Sequence, residues 1–386
     1  MKVLLATQYV IPHEGGLCTH LVDLMAGLQG LGHQVRLVHG GLARMSAFGR
    51  VVRMIAALGR RDSYVSRSMG VFLQRLGALF QEQIDEFAPE VIHCHDPFSA
   101  SAAAEVVGAG AIPIVETVHG PALYEAQMGG SIRGPRHREF ILRCERRAFA
   151  SAKRLIAVDS GQAAILRNDY DVDPSRIAVI FNSVNVAEVR RLASARLPQC
   201  PREPYFLVPR RLVPKTGVGY AIEALARMPN KTVGLVIAGQ GSMRGELEQL
   251  AASLGVAERT QFLGSVPRLQ LLPLFPHALG ILVPSVPSNG VVEATSLAVM
   301  EAMACGSVAI ASGIGGLAEL IADGQTGLLV PPADPEALAK AMTKVMDDQP
   351  FRQRILEAAK RKVESDYDAA AWLARVVAVY EQCLAG

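Results

Sequence analysis

Short apolar runs alternate along this chain with longer stretches that carry apolar residues every three or four positions. Lys2–Ala6 (KVLLA) has strand length, and Leu17–Leu31 has helical spacing that Gly32-His33 ends. Gln34–His39 (QVRLVH) reads as the next strand, so the chain opens with a strand–helix–strand unit. The alternation returns at Pro89–His95 (PEVIHCH), Pro113–Gly120 (PIVETVHG), the Arg143–Ala152 helix, Leu155–Val158 and Ile177–Asn185. A second series begins at Tyr205–Val208. It runs through Thr232–Gly241, the Arg244–Leu254 helix, Thr260–Val266, Gly280–Val283, the helix Leu297–Ala304 with its Gly306 stop, and Val308–Ala311. Gly324–Pro332, Asp334–Met346 and an amphipathic Tyr367–Leu384 close the chain. Strands alternating with helices in this way predict parallel, doubly wound α/β sheets.

Between the two series lies Leu197–Pro204 (LPQCPREP), whose three prolines mark it as a linker. The pattern therefore predicts an N-terminal domain over 1–196, a linker over 197–204, a C-terminal domain over 205–366 and a final helix over 367–386. A length of 386 residues fits two or three domains, and 50% hydrophobic residues can fill large cores. A net charge of +3 is too small to point to nucleic acid. The cysteines Cys18, Cys94, Cys144, Cys200, Cys305 and Cys383 form no CxxC pair, which suits a reduced, cytoplasmic protein without a zinc site. No run of eighteen apolar residues suggests a membrane span, and Met1–Ala6 reads as a strand, not a signal peptide.

One segment departs from this neutral picture. Between Arg36 and Arg75 eight arginines face a single acid, Asp62; Arg44, Arg50, Arg53, Arg60, Arg61 and Arg67 are interleaved with apolar residues. A basic amphipathic segment can lie on an anionic membrane surface, grip an acidic acceptor, or present a solvated helix face.

The densest chemistry lies in Val283–Gly316. A strand runs into a Pro/Ser/Asn/Gly loop, and Glu293 precedes a helix that contains Glu301. Thr295 and Ser296 can cap that helix, leaving the N–H groups near Leu297 as an anion site. Two carboxylates on either side of a phosphate site suit a ligand with hydroxyls at both ends, such as a nucleotide sugar. Two glutamates can also be plain surface residues, but Glu301 sits inside the otherwise apolar MEAMACG. Arg210, Arg211 and Lys215 converge on the strand-to-helix loop after Tyr205–Val208, where cations suit a diphosphate. In the N-terminal half, Gly15-Gly16 lets backbone come close to a ligand, and the loop lacks the Gly-x-Gly-x-x-Gly of a dinucleotide-binding dehydrogenase. His119 ends a parallel strand, where ligands bind in such sheets. His93, His95 and Asp96 at the end of the earlier strand could suggest a metal, but structural or acceptor-site roles fit them better.

The Val283–Gly316 stretch resembles the Glu-x7-Glu motif of the family 4 retaining glycosyltransferases, and the likeness extends over nearly the whole chain. The family's R-L-x-x-x-K-G aligns on Arg211-Leu212 with Thr216 in its lysine place, one position after Lys215. Ile177–Asn185 is similar to its I-x-V-I-x-N-G-V-D, with Ser183 for Gly and Asn185 for Asp. The resemblance implies the GT-B fold, two Rossmann-like domains facing a cleft. It also implies that His119 bonds donor-sugar hydroxyls, and that Gly15, Gly16, Arg210, Thr295, Ser296, Leu297 and Glu301 bind the donor. Glu293, Arg211 and Lys215 take catalytic roles in a front-face mechanism, without a cofactor or metal.

The expected function is retaining transfer of a hexosyl or N-acetylhexosaminyl group from a nucleoside diphosphate sugar, UDP-sugar favoured. The acceptor is a small molecule such as a cyclitol, sugar or natural-product aglycone. The alternative is a lipid or lipid-linked acceptor met by a protein peripheral to the inner face of the membrane. A sugar-nucleotide epimerase, a hydrolase or a non-catalytic sugar-nucleotide sensor are the rival classes.

Overall fold

A computed structural model describes residues 1–12, 16–43, 61–108, 111–128, 130–195, 204–287 and 292–385. Among these residues the strands are β1 (Lys2–Thr7), β2 (Gln34–His39), β3 (Val91–Cys94), β4 (Ile114–Val118), β5 (Arg154–Ala157) and β6 (Ile177–Val179). They continue with β7 (Tyr205–Val208), β8 (Gly234–Ala238), β9 (Thr260–Gly264), β10 (Gly280–Val283), β11 (Val308–Ser312) and β12 (Leu328–Val330). They form two six-stranded sheets, in the orders β2-β1-β3-β4-β5-β6 and β12-β11-β10-β7-β8-β9. Every pairing is parallel. The two-domain α/β GT-B architecture expected from the sequence is the one observed.

Strands buried on both faces need continuous apolar runs, because helices cover the sheet on either side. β3, β4, β7, β10 and β11 are buried at every residue. In each sheet the order reverses once, between β1 and β3 and between β7 and β10. At such a switch point the connections leave in opposite directions and open a crevice at the carboxyl ends of the strands. The helix after β1 and the loop after β10 both start there.

The chain divides into two compact units: Met1–Phe181 with Leu373–Gly386, and Asn182–Trp372. The division falls earlier than the composition-based 196/205 boundary, and the Pro-rich 196–203 lie outside the described residues. The reason is the helix Val186–Ala193. It packs on the helix Leu297–Cys305, and its Arg190 donates from Nε to the Ala304 carbonyl at 3.0 Å and pairs with Glu364. Asn185, where the family has Asp, caps this helix by accepting from the Glu188 N–H at 2.9 Å.

In the first unit the last helix, Ala369–Ala385, is tied down by polar contacts. The Tyr380 hydroxyl lies 2.7 Å from His93 Nδ1, and Lys153 Nζ donates to the Cys383 carbonyl at 2.8 Å. Of the arginine-rich segment, Arg44, Arg50, Arg53 and Arg60 lie outside the described residues. Arg67 and Arg75 belong to a helix over Arg61–Phe87.

Candidate functional site

The second unit gathers polar groups at the carboxyl edge of β7 and β10. Arg210, two residues beyond β7, reaches Glu293 with Nη2 2.7 Å from Oε1. The same Nη2 donates to Ser285 Oγ at 3.1 Å, and Ser285 donates to Glu293 Oε2 at 3.4 Å. Both members of the ion pair are largely buried, at 12% and 15% side-chain exposure, so the contact is less screened by water than a surface pair.

Glycines fix this node. A Cβ on Gly239 would stand 1.9 Å from the Arg210 carbonyl oxygen, and one on Gly217 1.9 Å from that of Pro284. The Glu293 carbonyl accepts from Gly316 N–H at 3.0 Å. Close backbone packing, which only glycine allows, therefore sets where Arg210 and Glu293 stand.

Beyond the node the helix Leu297–Cys305 begins. Ser296 occupies its N-cap position without a side-chain cap bond, a departure from the expected capping. Thr295 Oγ1 accepts instead from Asn182 Nδ2 at 2.9 Å. The first N–H groups of the helix keep no intrahelical acceptor, as at any helix start. Among the described residues, Ser296 Oγ, Arg210 Nε and Asn182 Oδ1 are buried without a hydrogen-bond partner. Buried polar atoms are normally paired, so orphans clustered at one edge point to a ligand. Glu301, buried inside the helix, pairs with Arg268 at 2.8 Å.

Arg211 and Lys215 lie on the loop after β7, as does Arg210. Arg211 is exposed, and Arg210 is the arginine that meets Glu293. Lys215 lies in a short turn, where its carbonyl accepts from Val286 N–H at 2.9 Å. Thr216, in the family's lysine place, is buried with its hydroxyl donating to the carbonyls of Arg211 and Val213.

In the first unit, Gly15 lies outside the described residues and Gly16 begins the helix Gly16–Gly30. His119 follows β4, and its Nε2 is buried without a hydrogen-bond partner. It stands with His20 and His95, one nitrogen of each lying within 4.8 Å of the others. In the sequence His95 stands with His93 and Asp96. In the structure His93 is engaged by Tyr380 and by Thr117 Oγ1, at 2.7 and 2.8 Å, while Asp96 caps the next helix through the Phe98 and Ser99 N–H groups.

Comparison with known proteins decides the family. The model of the glycosyltransferase family 4 matches residues 14–188, and that of the glycosyl transferases group 1 matches 190–362. A D-inositol 3-phosphate glycosyltransferase of Frankia alni is 30% identical over 286 residues, 70% of this chain and 69% of that protein. The chain belongs to the GT-B glycosyltransferases of this group 1/family 4 type. An uncharacterized glycosyltransferase of Methanocaldococcus jannaschii is 27% identical across 95% of this chain and 94% of its own. The fold of this glycosyltransferase is shared by Anabaena HepE in complex with UDP-glucose, at a TM-score of 0.72 and 18% identity, covering 99% of this chain and 100% of that one.

Three residues beside these polar groups escaped sequence reasoning. Ser285 is an ordinary loop residue in sequence, and nothing marks it before the loop is packed. Arg268 is separated from Glu301 by 33 positions, and His20 from His119 by 99. Contacts of that range leave no local pattern to read.

Proposed function

We propose that this glycosyltransferase moves a hexosyl or N-acetylhexosaminyl group from a nucleoside diphosphate sugar, UDP-sugar first, to a hydroxyl of a small-molecule acceptor such as a cyclitol or sugar. The anomeric configuration is retained. The observation that carries the reading is the Arg210–Ser285–Glu293 node, set beside a helix start with orphaned polar atoms. A diphosphate joined to a sugar needs cationic and N–H donors next to a carboxylate acceptor, and the node supplies that set. The similarity to a D-inositol 3-phosphate glycosyltransferase, and the shared fold of HepE in complex with UDP-glucose, support the same chemistry.

In this reading the Glu293 carboxylate accepts from sugar hydroxyls. Arg210, Arg211, Lys215 and the N–H groups at Ser296-Leu297 disperse the charge that grows on the leaving diphosphate, so neither metal nor cofactor is required for transfer. The diphosphate takes the acceptor's proton on the face it leaves. His119 keeps the sugar-hydroxyl role that the family resemblance implies. Among the described residues no helix is long and apolar enough to cross a membrane.

A thermal-shift panel of UDP-, GDP-, ADP- and dTDP-sugars tests the donor. A ligand at a hundredfold excess over its Kd stabilises by about 2.7 kcal/mol, so one nucleotide should stand out. Product analysis with candidate acceptors then separates transfer from epimerisation or mere binding, and the anomeric coupling constant reads the stereochemistry. Glu293→Gln preserves the shape of the node while removing its charge. It should abolish transfer with folding intact, and a wild-type rate would sink the assignment.

A further inference from the structure

The carboxyl edge of the first sheet brings three imidazoles together from three elements. His20 comes from the helix Gly16–Gly30, His95 follows β3 and His119 follows β4. Ring centroids are 4.9 Å apart for His20–His119, 5.1 Å for His20–His95 and 5.9 Å for His95–His119. His20 and His95 are 9% and 2% exposed. Both ring nitrogens of His95 and Nε2 of His119 are buried without a hydrogen-bond partner. The orphaned nitrogens of His95 and His119 ask for a shared partner.

We propose that His20, His95 and His119 form a three-imidazole site for one divalent transition-metal ion of the zinc class. Zinc–nitrogen bonds of 2.0–2.1 Å at tetrahedral angles place ligand atoms roughly 3.3–3.4 Å apart, so the widest spacing must close by about 1.4 Å. Small turns of the three rings about their side-chain torsions supply that. No carboxylate belongs to the set, and imidazole selects zinc, copper, nickel or cobalt over magnesium and calcium. The fourth position is left to water, as in three-ligand zinc sites. A bound ion occupies the imidazole of His119, so it inhibits transfer. That consequence rests on the proposed function, whereas the binding itself does not.

The test uses the full chain, untagged and washed with chelator. Co2+ should give the visible absorption of a four-coordinate ion at one equivalent, and Zn2+ should displace it, while Mg2+ and Ca2+ do neither. Imidazole nitrogen NMR on the wild type should shift three histidines together. His277→Gln, which replaces an exposed histidine of the other unit, should bind as the wild type does. His20→Gln and His95→Gln should weaken binding by more than the roughly 10–100-fold that loss of an outer-shell partner costs. No Co2+ band in the wild type, or a band kept in both variants, overturns the site. One equivalent of Zn2+ should also lower turnover of the wild type. Binding with unchanged turnover overturns the inhibitory role alone. If no donor turns over at all, the transferase reading fails while the metal titration still decides the site.

Discussion

Glu116 offers a test of how the first unit is built. It lies in the middle of β4, fully buried, between Cys94 on β3 and Leu155 on β5. Neither carboxyl oxygen has a hydrogen-bond partner. Burial, and then the neighbouring Asp96 and Glu145, push its pKa well above the ordinary glutamate value. Leaving a polar group buried and unpaired costs about 1–3 kcal/mol. Replacing it with leucine removes that cost and adds the transfer of a branched side chain, about 1.5–3 kcal/mol, of which the two lost methylenes already supplied about 1.6. Glu116→Leu should therefore stabilise the unit by about 1–4 kcal/mol, at roughly 2–4 °C in Tm per kcal/mol for a domain of this size.

The pH dependence carries a sign. Because the folded pKa lies above the unfolded one, the native state keeps a proton that the unfolded chain releases. Stability then falls as pH rises from the ordinary glutamate value of 4.5 toward the folded pKa, by up to about 1.4 kcal/mol per pH unit. Asp96 and Glu145 are raised by burial too, so wild type and variant must be compared at each pH. Hydrogen exchange in the β3 and β4 peptides, followed from pH 5 to 8, isolates this unit from the other. The gap between Glu116→Leu and wild type should widen with pH. Parallel curves, or a destabilised leucine variant, would refute the buried unpaired acid.

Two further perturbations are short to state. Tyr380→Phe removes the hydroxyl 2.7 Å from His93 Nδ1 in a fully buried place, which should cost about 1–3 kcal/mol and raise hydrogen exchange in the last helix; unchanged exchange would show the bond to be dispensable. Gly239→Ala puts a methyl against the Arg210 carbonyl, so transfer should fall sharply while far-UV CD stays native; full activity would mean that Arg210 need not stand where it does.

The fold was legible because its strands are continuous apolar runs at regular spacing, a signal that survives without any tertiary information. Glu293 and Glu301 stand out in the sequence for a related reason: a fixed spacing around a helix start is local, and the structure pairs each with an arginine. The choice between Arg210 and Arg211 was not. The residue that faces Glu293 is decided by how the chain turns after β7, and Gly239 packed on the Arg210 carbonyl sets that turn. The boundary near Asn182 was hidden likewise. The apolar stripe of Val186, Val189 and Leu192 shows that the helix covers something, but not that it covers the helix Leu297–Cys305.

In the sequence the two glutamates are acceptors for ligand hydroxyls, and the structure shows each already held by an arginine. This does not remove them from ligand recognition. A carboxylate offers about four acceptor positions, and a single guanidinium contact uses one or two of them. Glu293 meets Arg210 through Oε1, and Glu301 meets Arg268 through Oε1, both at hydrogen-bond distance. The arginine fixes the rotamer before a ligand arrives, which spares roughly 0.5–1.5 kcal/mol of ordering per side chain. The pairs differ in their surroundings, however. Arg210 is at least as buried as Glu293, whereas Arg268 is 34% exposed at its side chain. A ligand at Glu293 therefore meets a rigid, partly dehydrated node, where each bond is strong and geometry is demanding. One at Glu301 meets a wetter pair that can adjust. In the proposed reaction that division suits the ends of the donor: strict at the sugar that reacts, tolerant at the ribose that only anchors it.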